Sequence, residues 1–448
     1  MLKPEKLDTI AAIATPPGRG GIGVIRLSGP AVPAVATELL GCLPQPRRAE
    51  YCLIRTADNT LIDQCIVLYF PAPHSFTGEH VLEIQGHGGP VVQDWLMERL
   101  LGLDIRQALP GEFSERAFLN DKLDLAQAES IADLIDSSSR QAAQAAMRSL
   151  EGEFSRHING LVEQITHLRI YVEAAIDFPE EEIDFLAGGQ VEHQIEDILN
   201  VFDTVFKQAK QGRLLTEGLH LVITGLPNAG KSSLLNAMAG QDCAIVTAMA
   251  GTTRDAIHEN IHIDGIPIHL VDTAGLHDSA DPIEQEGMNR TWKQIEKADL
   301  ILHIIDDSDQ REQENQALLK QFPQHIPVSR IYNKVDKSGR EAGAVTDNSI
   351  AISVKIRTGL DELRSHIKQR AGLNDEMESG FSARRRHLQV LEQALKHVIS
   401  AQHLLRDKTG ELIAEELRIA QQKLSEITGE FSSDDLLGEI FSSFCIGK

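Results

Sequence analysis

The sequence predicts a multidomain α/β protein. It has a strand-rich α+β domain at the N-terminus, a domain of long helices, and an alternating strand–helix domain inserted in the helical one. Three observations predict this. Eleven of the 17 prolines lie at or before Pro110, none lies between Pro110 and Pro179, and none follows Pro327. Proline breaks helix interiors, so the proline-free stretches rich in Ala, Leu, Glu and Gln read as helix. The middle of the chain alternates apolar runs with helical periodicity, the sign of βαβ units. Helical spacing then resumes, as in Leu388-x-x-Leu391-x-x-Ala394-Leu395.

Taken in order, residues 1–118 carry short apolar runs, Gly23–Leu27, Cys65–Phe70 and Val81–Gln85, separated by Gly/Pro clusters. Residues 119–217 place apolar side chains at helical spacing, as in Leu123-x-x-Ala126 and Ile131-x-x-Leu134-Ile135. Residues 218–377 form the inserted alternating domain, and 378–448 return to helix. A separate C-terminal helical tail is the other reading of the last segment.

Composition excludes several classes. Lys and Arg number 43 against 66 Asp and Glu, a formal net charge of −23. That balance argues against coating nucleic acid or an anionic membrane by bulk charge. Aromatic residues at 4% argue against a stacking platform for single strands. The five cysteines, Cys42, Cys52, Cys65, Cys243 and Cys445, include no C-x-x-C pair, so neither a disulfide framework nor a structural zinc site is expected. No secretory signal and no membrane-spanning run is visible, which predicts a soluble, cytoplasmic protein. Ten acids and no Lys or Arg fall between Ile170 and Phe206, so this helical arm is not expected to hold phosphates.

The inserted domain carries the strongest motif. Gly225-Leu-Pro-Asn228-Ala229-Gly230-Lys231-Ser232 fits G-x(4)-G-K-[ST], with Ser233 following. It comes after the apolar run Leu219–Thr224 and opens a helical run, the context a phosphate-binding loop needs. Loop N–H groups and the helix N-terminus favour phosphate, Lys231 bridges the terminal phosphates, and the Ser232 hydroxyl ligates Mg²⁺. Asp272-Thr-Ala-Gly275 ends a second apolar strand; Asp272 is expected to hold Mg²⁺ through water and the Gly275 N–H to sense the γ-phosphate. Asn333-Lys334-Val-Asp336 follows a third strand. Asp336 can accept two hydrogen bonds from guanine, and adenine lacks those donors, so GTP is chosen over ATP. Ser353-Val354-Lys355 sits where such proteins close over the base. Thr252 and Thr253 supply the switch threonine, with Thr253 the expected Mg²⁺ ligand. Leu276 stands where Ras-like enzymes place a water-orienting Gln and cannot orient water. Glu284 and Arg254 are the candidates for that work. His258, His262 and His269 surround a predicted hairpin with an Asp264-Gly265 turn and read as solvated.

Weaker patterns carry structural readings. Gly18-Arg-Gly-Gly-Ile-Gly23 fits G-x-G-x-x-G, yet Gly23–Ser28 reads as a strand, not the helix a dinucleotide site requires. Gln85-Gly-His-Gly-Gly-Pro90 reads as a turn after a strand. Glu180–Asp184 reads as a solvated connector rather than a metal site. Arg384–Arg386 is either a helix-start cluster or an RNA contact. The apolar segment Leu436–Phe444 is expected to dock. Cys445 is then either a structural thiol or one placed near a reactive cofactor, and Gly447 and Lys448 fit a prenylation signal poorly.

With these residues collected, the whole chain resembles the MnmE (TrmE) family of bacterial tRNA-modification GTPases. The resemblance rests on Thr15–Gly23, Ser75-Phe-Thr-Gly-Glu79, Gly111–Lys122, the nucleotide motifs and the terminal Phe444-Cys-Ile-Gly-Lys448. It implies an N-terminal domain that binds a reduced folate (5-formyl- or methylene-tetrahydrofolate) and mediates homodimerisation, with Arg26, Glu83, Lys122 and Lys448 in the folate pocket. It implies a Ras-like GTPase domain that dimerises when K⁺ binds, with Asn228, Thr247, Met249 and Thr252 at the K⁺-coordinating positions and Glu284 as the water-orienting glutamate. It implies a flavin partner, MnmG, carrying FAD, with which an aminomethyl or carboxymethylaminomethyl group is installed at C5 of the wobble uridine of tRNA. Cys445 matches a cysteine needed for modification and not for GTP hydrolysis. Val354 and His277 depart from the family pattern. The nucleotide motifs by themselves fit equally a regulatory or ribosome-assembly GTPase switch.

Overall fold

Alternating burial along the first strands lays out a sheet that is covered on one face by two helices. Strands β1 (Ile10–Ile13), β2 (Gly20–Ser28), β3 (Glu50–Arg55), β4 (Leu61–Phe70), β5 (Val81–Gly88) and β6 (Arg106–Gln107) align in the order β3-β4-β5-β2-β1-β6. All neighbours are antiparallel except β1 and β6. Helices α1 (Val32–Leu40) and α2 (Pro90–Leu101) bury Val32, Val35, Leu96 and Leu100 against Ile25, Leu27, Val67 and Ile84. Each helix has a proline in its first turn, where no backbone donor is lost. The structure, a computed structural model, describes residues 8–177, 189–239, 258–263, 266–272, 292, 295–296, 298–309, 311–371, 380–405, 409–430 and 434–447.

Two glycine-rich motifs resolve here. Gly18–Gly23 runs into strand β2 with no helix inside it, so it is not a dinucleotide loop. The segment after Gln85 is not a turn: β5 continues through Gly88, and α2 starts at Pro90. Close strand approach explains these glycines. A Cβ on Gly86 would lie 2.5 Å from Asp63 Oδ2, and one on Gly88 would lie 2.7 Å from the Gly20 and Ile22 carbonyls.

Met1–Ala132, Ser149–Leu199 and Val390–Lys448 make one compact unit. Besides the sheet it contains α3 (Glu112–Leu119), α4 (Leu125–Asp136, through Ala132) and α6 (Glu153–Asp177). After α5 (Arg140–Leu150), α7 (Gln190–Thr216) and the helices of the inserted region, two late helices, Gly410–Thr428 and Asp434–Ser442, complete this unit. Helix α6 buries Phe154, Ile158, Leu161, Ile165, Leu168 and Val172; Gly410–Thr428 buries Ile413, Leu417, Ala420, Leu424 and Ile427. Both runs step by three and four, so each helix presents one apolar stripe, and the two stripes pack together.

Asp133–Arg148 and Asn200–Gln389 make the second unit. Its sheet contains β7 (Leu219–Gly225), β8 (His258–Ile263), β9 (Ile266–Asp272), β10 (Leu300–Asp306), β11 (Val328–Asn333), β12 (Gly343–Thr346) and β13 (Ser349–Ala351), in the order β12-β13-β11-β10-β7-β9-β8. The inner five strands are parallel, and β8 and β12 are antiparallel edges. Helices α8 (Lys231–Ala239), α9 (Glu312–Leu319), α10 (Val335–Ser338) and α11 (Leu360–Ala371) follow strands of this sheet. Strands buried on both faces read as nearly continuous apolar runs, as in Leu300–Ile305, which only His303 interrupts. The β8–β9 hairpin appears as the sequence predicts. His269, however, is half-buried: its ring packs 4.9 Å from that of His220, with Nε2 3.0 Å from the Glu217 carbonyl. The side chains of His258 and His262 lie outside the described residues.

Candidate functional site

The loop between β7 and α8 is built by close approach. Gly225 has φ +144°, and a Cβ there would lie 2.3 Å from the Ile304 carbonyl of β10. Gly230 has φ +104°, and a Cβ would lie 2.3 Å from Asn333 Nδ2. Asn228 sits at φ +67°, a left-handed conformation that Asn tolerates better than most residues.

Every carbonyl from Gly225 to Ala229 accepts a side-chain hydrogen bond. Lys231 Nζ donates to Gly225 O (2.9 Å) and Leu226 O (3.3 Å). Arg311 Nη2 donates to Pro227 O (3.3 Å). Lys334 Nζ donates to Asn228 O (2.6 Å), and Asn333 Nδ2 to Ala229 O (2.9 Å). In a trans peptide the next N–H points opposite to the carbonyl. Holding the carbonyls back therefore turns loop N–H groups the other way, Ala229 N–H excepted, which bonds Leu226 O. Such a concave set of N–H groups before a helix N-terminus is an anion site.

The second half of the motif set is tied to the first. Lys334, at φ +66°, also pairs with Asp306 Oδ2 at 2.6 Å. Burial works against ionisation of Asp306, but the hydrogen bonds from Lys334 and Ser308 hold its carboxyl below the usual range. Asn333 Oδ1 accepts the Val354 N–H (3.3 Å), which fixes the 353–355 segment beside the loop. Fully buried Ser353 donates to Asp336 Oδ1 at 2.6 Å, while Asp336 itself is exposed. Val354 packs on the sheet core, and Lys355 is exposed. Asn228, Ser232 and Ser233 are exposed, Gly230 and Lys231 half-buried, and Ala229 buried. Asp272 ends β9 as expected. Thr247, Met249, Thr252, Thr253, Arg254, Gly275, Leu276, His277, Glu284 and Lys448 lie outside the described residues, as do Glu180–Asp184.

Sequence reasoning missed Asp306 and Arg311. Asp306 had a signal, since an apolar strand ending in a carboxylate puts that group at the carboxyl edge of a parallel sheet, where ligands bind. Arg311 had none. Arg384 is committed to a structural pairing: its Nη2 lies 2.7 Å from Asp133 Oδ1, and the Asp133 side chain is buried.

In the first unit, Arg26 and Glu83 are register partners on β2 and β5. Arg26 Nε and Nη2 lie 2.9 and 2.8 Å from Glu83 Oε1, and the guanidinium lies 5.9 Å from the rings of Phe76 and Phe113. Lys122 is exposed, and its Cε would lie 3.0 Å from a Cβ on Gly78. The 75–79 and 111–122 motifs are knitted together under this pair. Glu79 accepts from Ser28 Oγ (2.6 Å) and pairs with Arg116 (3.1 Å). Arg116 also pairs with Glu112 (2.8 Å), and Asn120 Nδ2 donates to Thr77 O (2.7 Å). Burial opposes the charge on Glu112, yet hydrogen bonds from Arg106, the Leu109 N–H and Arg116 hold its carboxyl below the usual range.

The C-terminal segment docks against the same region. Phe441 and Phe444 are buried with Phe118, Leu125 and Ala128. Gly111 N–H donates to Cys445 O (3.3 Å), and Ile446 bridges Pro110. Gly447 has φ +94°, and a Cβ there would lie 2.5 Å from the Ile13 carbonyl. Cys445 itself is exposed. The tail and Arg26 thus both touch the start of α3, the tail through Gly111 and Arg26 through Phe113.

The family described as MnmE helical domain matches residues 125–445, and that described as GTP-binding protein TrmE N-terminus matches residues 9–122. The chain belongs to the MnmE family of tRNA modification GTPases. It is 56% identical over 450 residues to the tRNA modification GTPase MnmE of Pectobacterium atrosepticum, covering 98% of this chain and 99% of that protein. The same identity and coverage hold for the MnmE of Proteus mirabilis. Among solved structures, Era from Aquifex aeolicus bound to GDP and aluminium fluoride is 25% identical over 40% of this chain and 66% of its own, with a TM-score of 0.28. The two matched ranges take in both the nucleotide loop and the Arg26–Glu83 pair.

Proposed function

We propose that this chain hydrolyses GTP as a subunit of the enzyme that modifies C5 of the wobble uridine in tRNA. The observation that carries this reading is the docked C-terminal segment, which holds exposed Cys445 at the start of α3, the helix whose Phe113 lies 5.9 Å from the Arg26 guanidinium. A switch that only senses nucleotide has no use for such a thiol. The division we adopt is 1–118 for the N-terminal domain, 119–217 and 378–448 for the helical domain, and 218–377 for the GTPase domain.

In this reading Gly225–Ser233 cradles the phosphates of GTP, Lys231 exchanges its loop carbonyls for the β- and γ-phosphates, and Ser232, Thr253 and Asp272 serve Mg²⁺. Asp336 selects guanine, with Ser353 fixing its carboxylate and Val354 and Lys355 closing over the base. Glu284 orients the attacking water. Asn228 with Thr247, Met249 and Thr252 holds K⁺, whose charge supports the transition state where another GTPase would use an arginine.

A folate fits Arg26 and Glu83. Glu83 is a half-buried carboxylate paired with Arg26, whose guanidinium lies 5.9 Å from the Phe76 ring, and it can accept N–H donors of a flat heteroaromatic ring, while Lys122 and Lys448 meet the folate's acidic end. When bound, the folate supplies the one-carbon unit. The side chains supply orientation, and Cys445 supplies a thiol at the rim. Exposed Tyr51, Leu53 and Ile66 on β3 and β4 support a homodimer through this sheet. The flavin partner, MnmG with its FAD, and tRNA complete the assembly in the cytoplasm; among the described residues no helix is long and apolar enough to cross a membrane.

Mass spectrometry of tRNA nucleosides from cells lacking this protein tests the reading. Loss of the C5-modified wobble uridine is expected. Unchanged content would overturn it in favour of a regulatory or ribosome-assembly GTPase.

A further inference from the structure

Four of the five carbonyl braces on the 225–229 loop come from residues of its nucleotide motifs; the fifth, Arg311, does not. Arg311 Nε is held by Asp309 Oδ2 at 2.7 Å, which aims Nη2 at Pro227 O. Its backbone carbonyl accepts Asn315 Nδ2 at 3.0 Å. Asn315 Oδ1 lies 3.1 Å from His303 Nε2, and His303 Nδ1 lies 3.1 Å from Thr224 Oγ1. Thr224 is the residue before Gly225. Asn315, His303 and Thr224 are buried, the last two completely.

The bond directions in this chain follow from its end and from the charge of the imidazole. The Arg311 carbonyl can only accept, so Asn315 turns Nδ2 to it and Oδ1 to His303. Oδ1 can only accept, so an imidazole proton is on Nε2. With the ring neutral, Nδ1 keeps its lone pair and accepts the Thr224 hydroxyl proton. Burial pushes the His303 pKa down to about 4, which keeps it neutral at physiological pH. The relay joins the strand end, Thr224, to the middle of the loop, Pro227, through the body of the domain.

We propose that Arg311, seated by the buried His303–Asn315 pair, is a positioning residue for the phosphate-binding loop in GTP binding and hydrolysis. This rests on the reading that Gly225–Ser232 holds the phosphates. Its role is to hold the Pro227 carbonyl back so that the loop N–H groups stay preset for the anion, an arrangement that otherwise has to form at the expense of binding.

The test is titration of the full-length protein with fluorescent GDP and Mg²⁺ at pH 7.5, beside steady-state GTP hydrolysis. Arg311→Ala should raise Kd and KM about fivefold with little change in kcat, and Arg311→Lys should recover part of that loss. The melting temperature of nucleotide-free Arg311→Ala should match that of the parent, since the side chain is at the surface. His303→Leu should raise Kd more than tenfold by leaving the Thr224 hydroxyl and Asn315 Oδ1 unpaired, and His303→Gln, whose amide supplies both an acceptor and a donor, should restore it. Should His303→Leu fail to fold, the Arg311 variants decide. Parental Kd and KM in Arg311→Ala would overturn the proposal, as would a His303→Gln variant as weak as His303→Leu. Lys231→Ala separates the two levels: retained nucleotide binding there would overturn the phosphate-loop reading itself, whereas lost binding with an unaffected Arg311→Ala would overturn only the brace.

Discussion

Lowering the pH from 7 to 5 should weaken the nucleotide-binding unit through single buried imidazoles. His303 is fully buried, and burial pushes its pKa down to about 4 from an ordinary 6.5; Arg330 and Lys231 act in the same direction, while Asn315 and Glu312 oppose. In the unfolded chain the same ring protonates around pH 6.5. A group whose folded pKa is depressed contributes stability that is fully present above its unfolded pKa and is lost as pH falls toward the folded one. Between pH 7 and pH 5 the linkage amounts to about 2 kcal/mol from His303 alone. His220, also lowered to about 4 by burial and by His269, acts in the same window. His303→Gln removes one titrating group while keeping a donor and an acceptor in place. Trp292 packs against Phe322 in the nucleotide unit, and the other of the two tryptophans, Trp95, lies on α2. A Trp95→Phe background therefore makes fluorescence report this unit. Urea unfolding followed by Trp292 at both pH values should show the parent losing about 2 kcal/mol more than the His303→Gln variant. Equal losses in the two proteins would refute the assignment of the acid-labile stability to His303.

Two further outcomes are expected. Replacing K⁺ by Na⁺ should slow GTP hydrolysis strongly while leaving GDP affinity within about threefold; comparable rates in both salts would count against the Asn228 reading. Gly447→Ala should lift the tail from Ile13, because its φ of +94° and the 2.5 Å approach both exclude a side chain. Wobble-uridine modification should then fall at least tenfold with GTPase turnover intact, and undiminished modification would show that the docked tail is dispensable.

Much of the fold was legible because its signals are local. The proline-free stretch after Pro110 holds α3 to α6 because proline is excluded from helix interiors, whereas the one after Pro327 opens with β11, β12 and β13 before it turns helical. The Gly23–Ser28 run is a strand, and Leu436–Phe444 docks because its aromatic residues have no other way to leave water. The site was legible wherever a motif carried its own geometry: Gly225 and Gly230 had to be glycine for backbone reasons, and Asn333 reaches Ala229 O. The glycines at 86 and 88 misled because a turn and a close strand contact demand the same residue. Arg384 stayed open because a surface arginine and one paired with buried Asp133 read alike; it stands at the start of the helix Arg385–Leu404, as one of its two readings had it.

By itself, the sequence determined the family, the order of elements and the residues whose chemistry is written into short motifs, since a phosphate loop needs its glycines and lysine at one spacing. Only the tertiary structure decided which distant groups complete them. Glu79, Glu112 and Arg116 tie the 75–79 and 111–122 motifs into a buried network. Asp306 and Arg311 joined the nucleotide loop, and His303 became a neutral link in its support. The physical reason is that a hydrogen bond between residues far apart in the chain depends on where strands and helices bring them, and neither partner's identity alone records the distance.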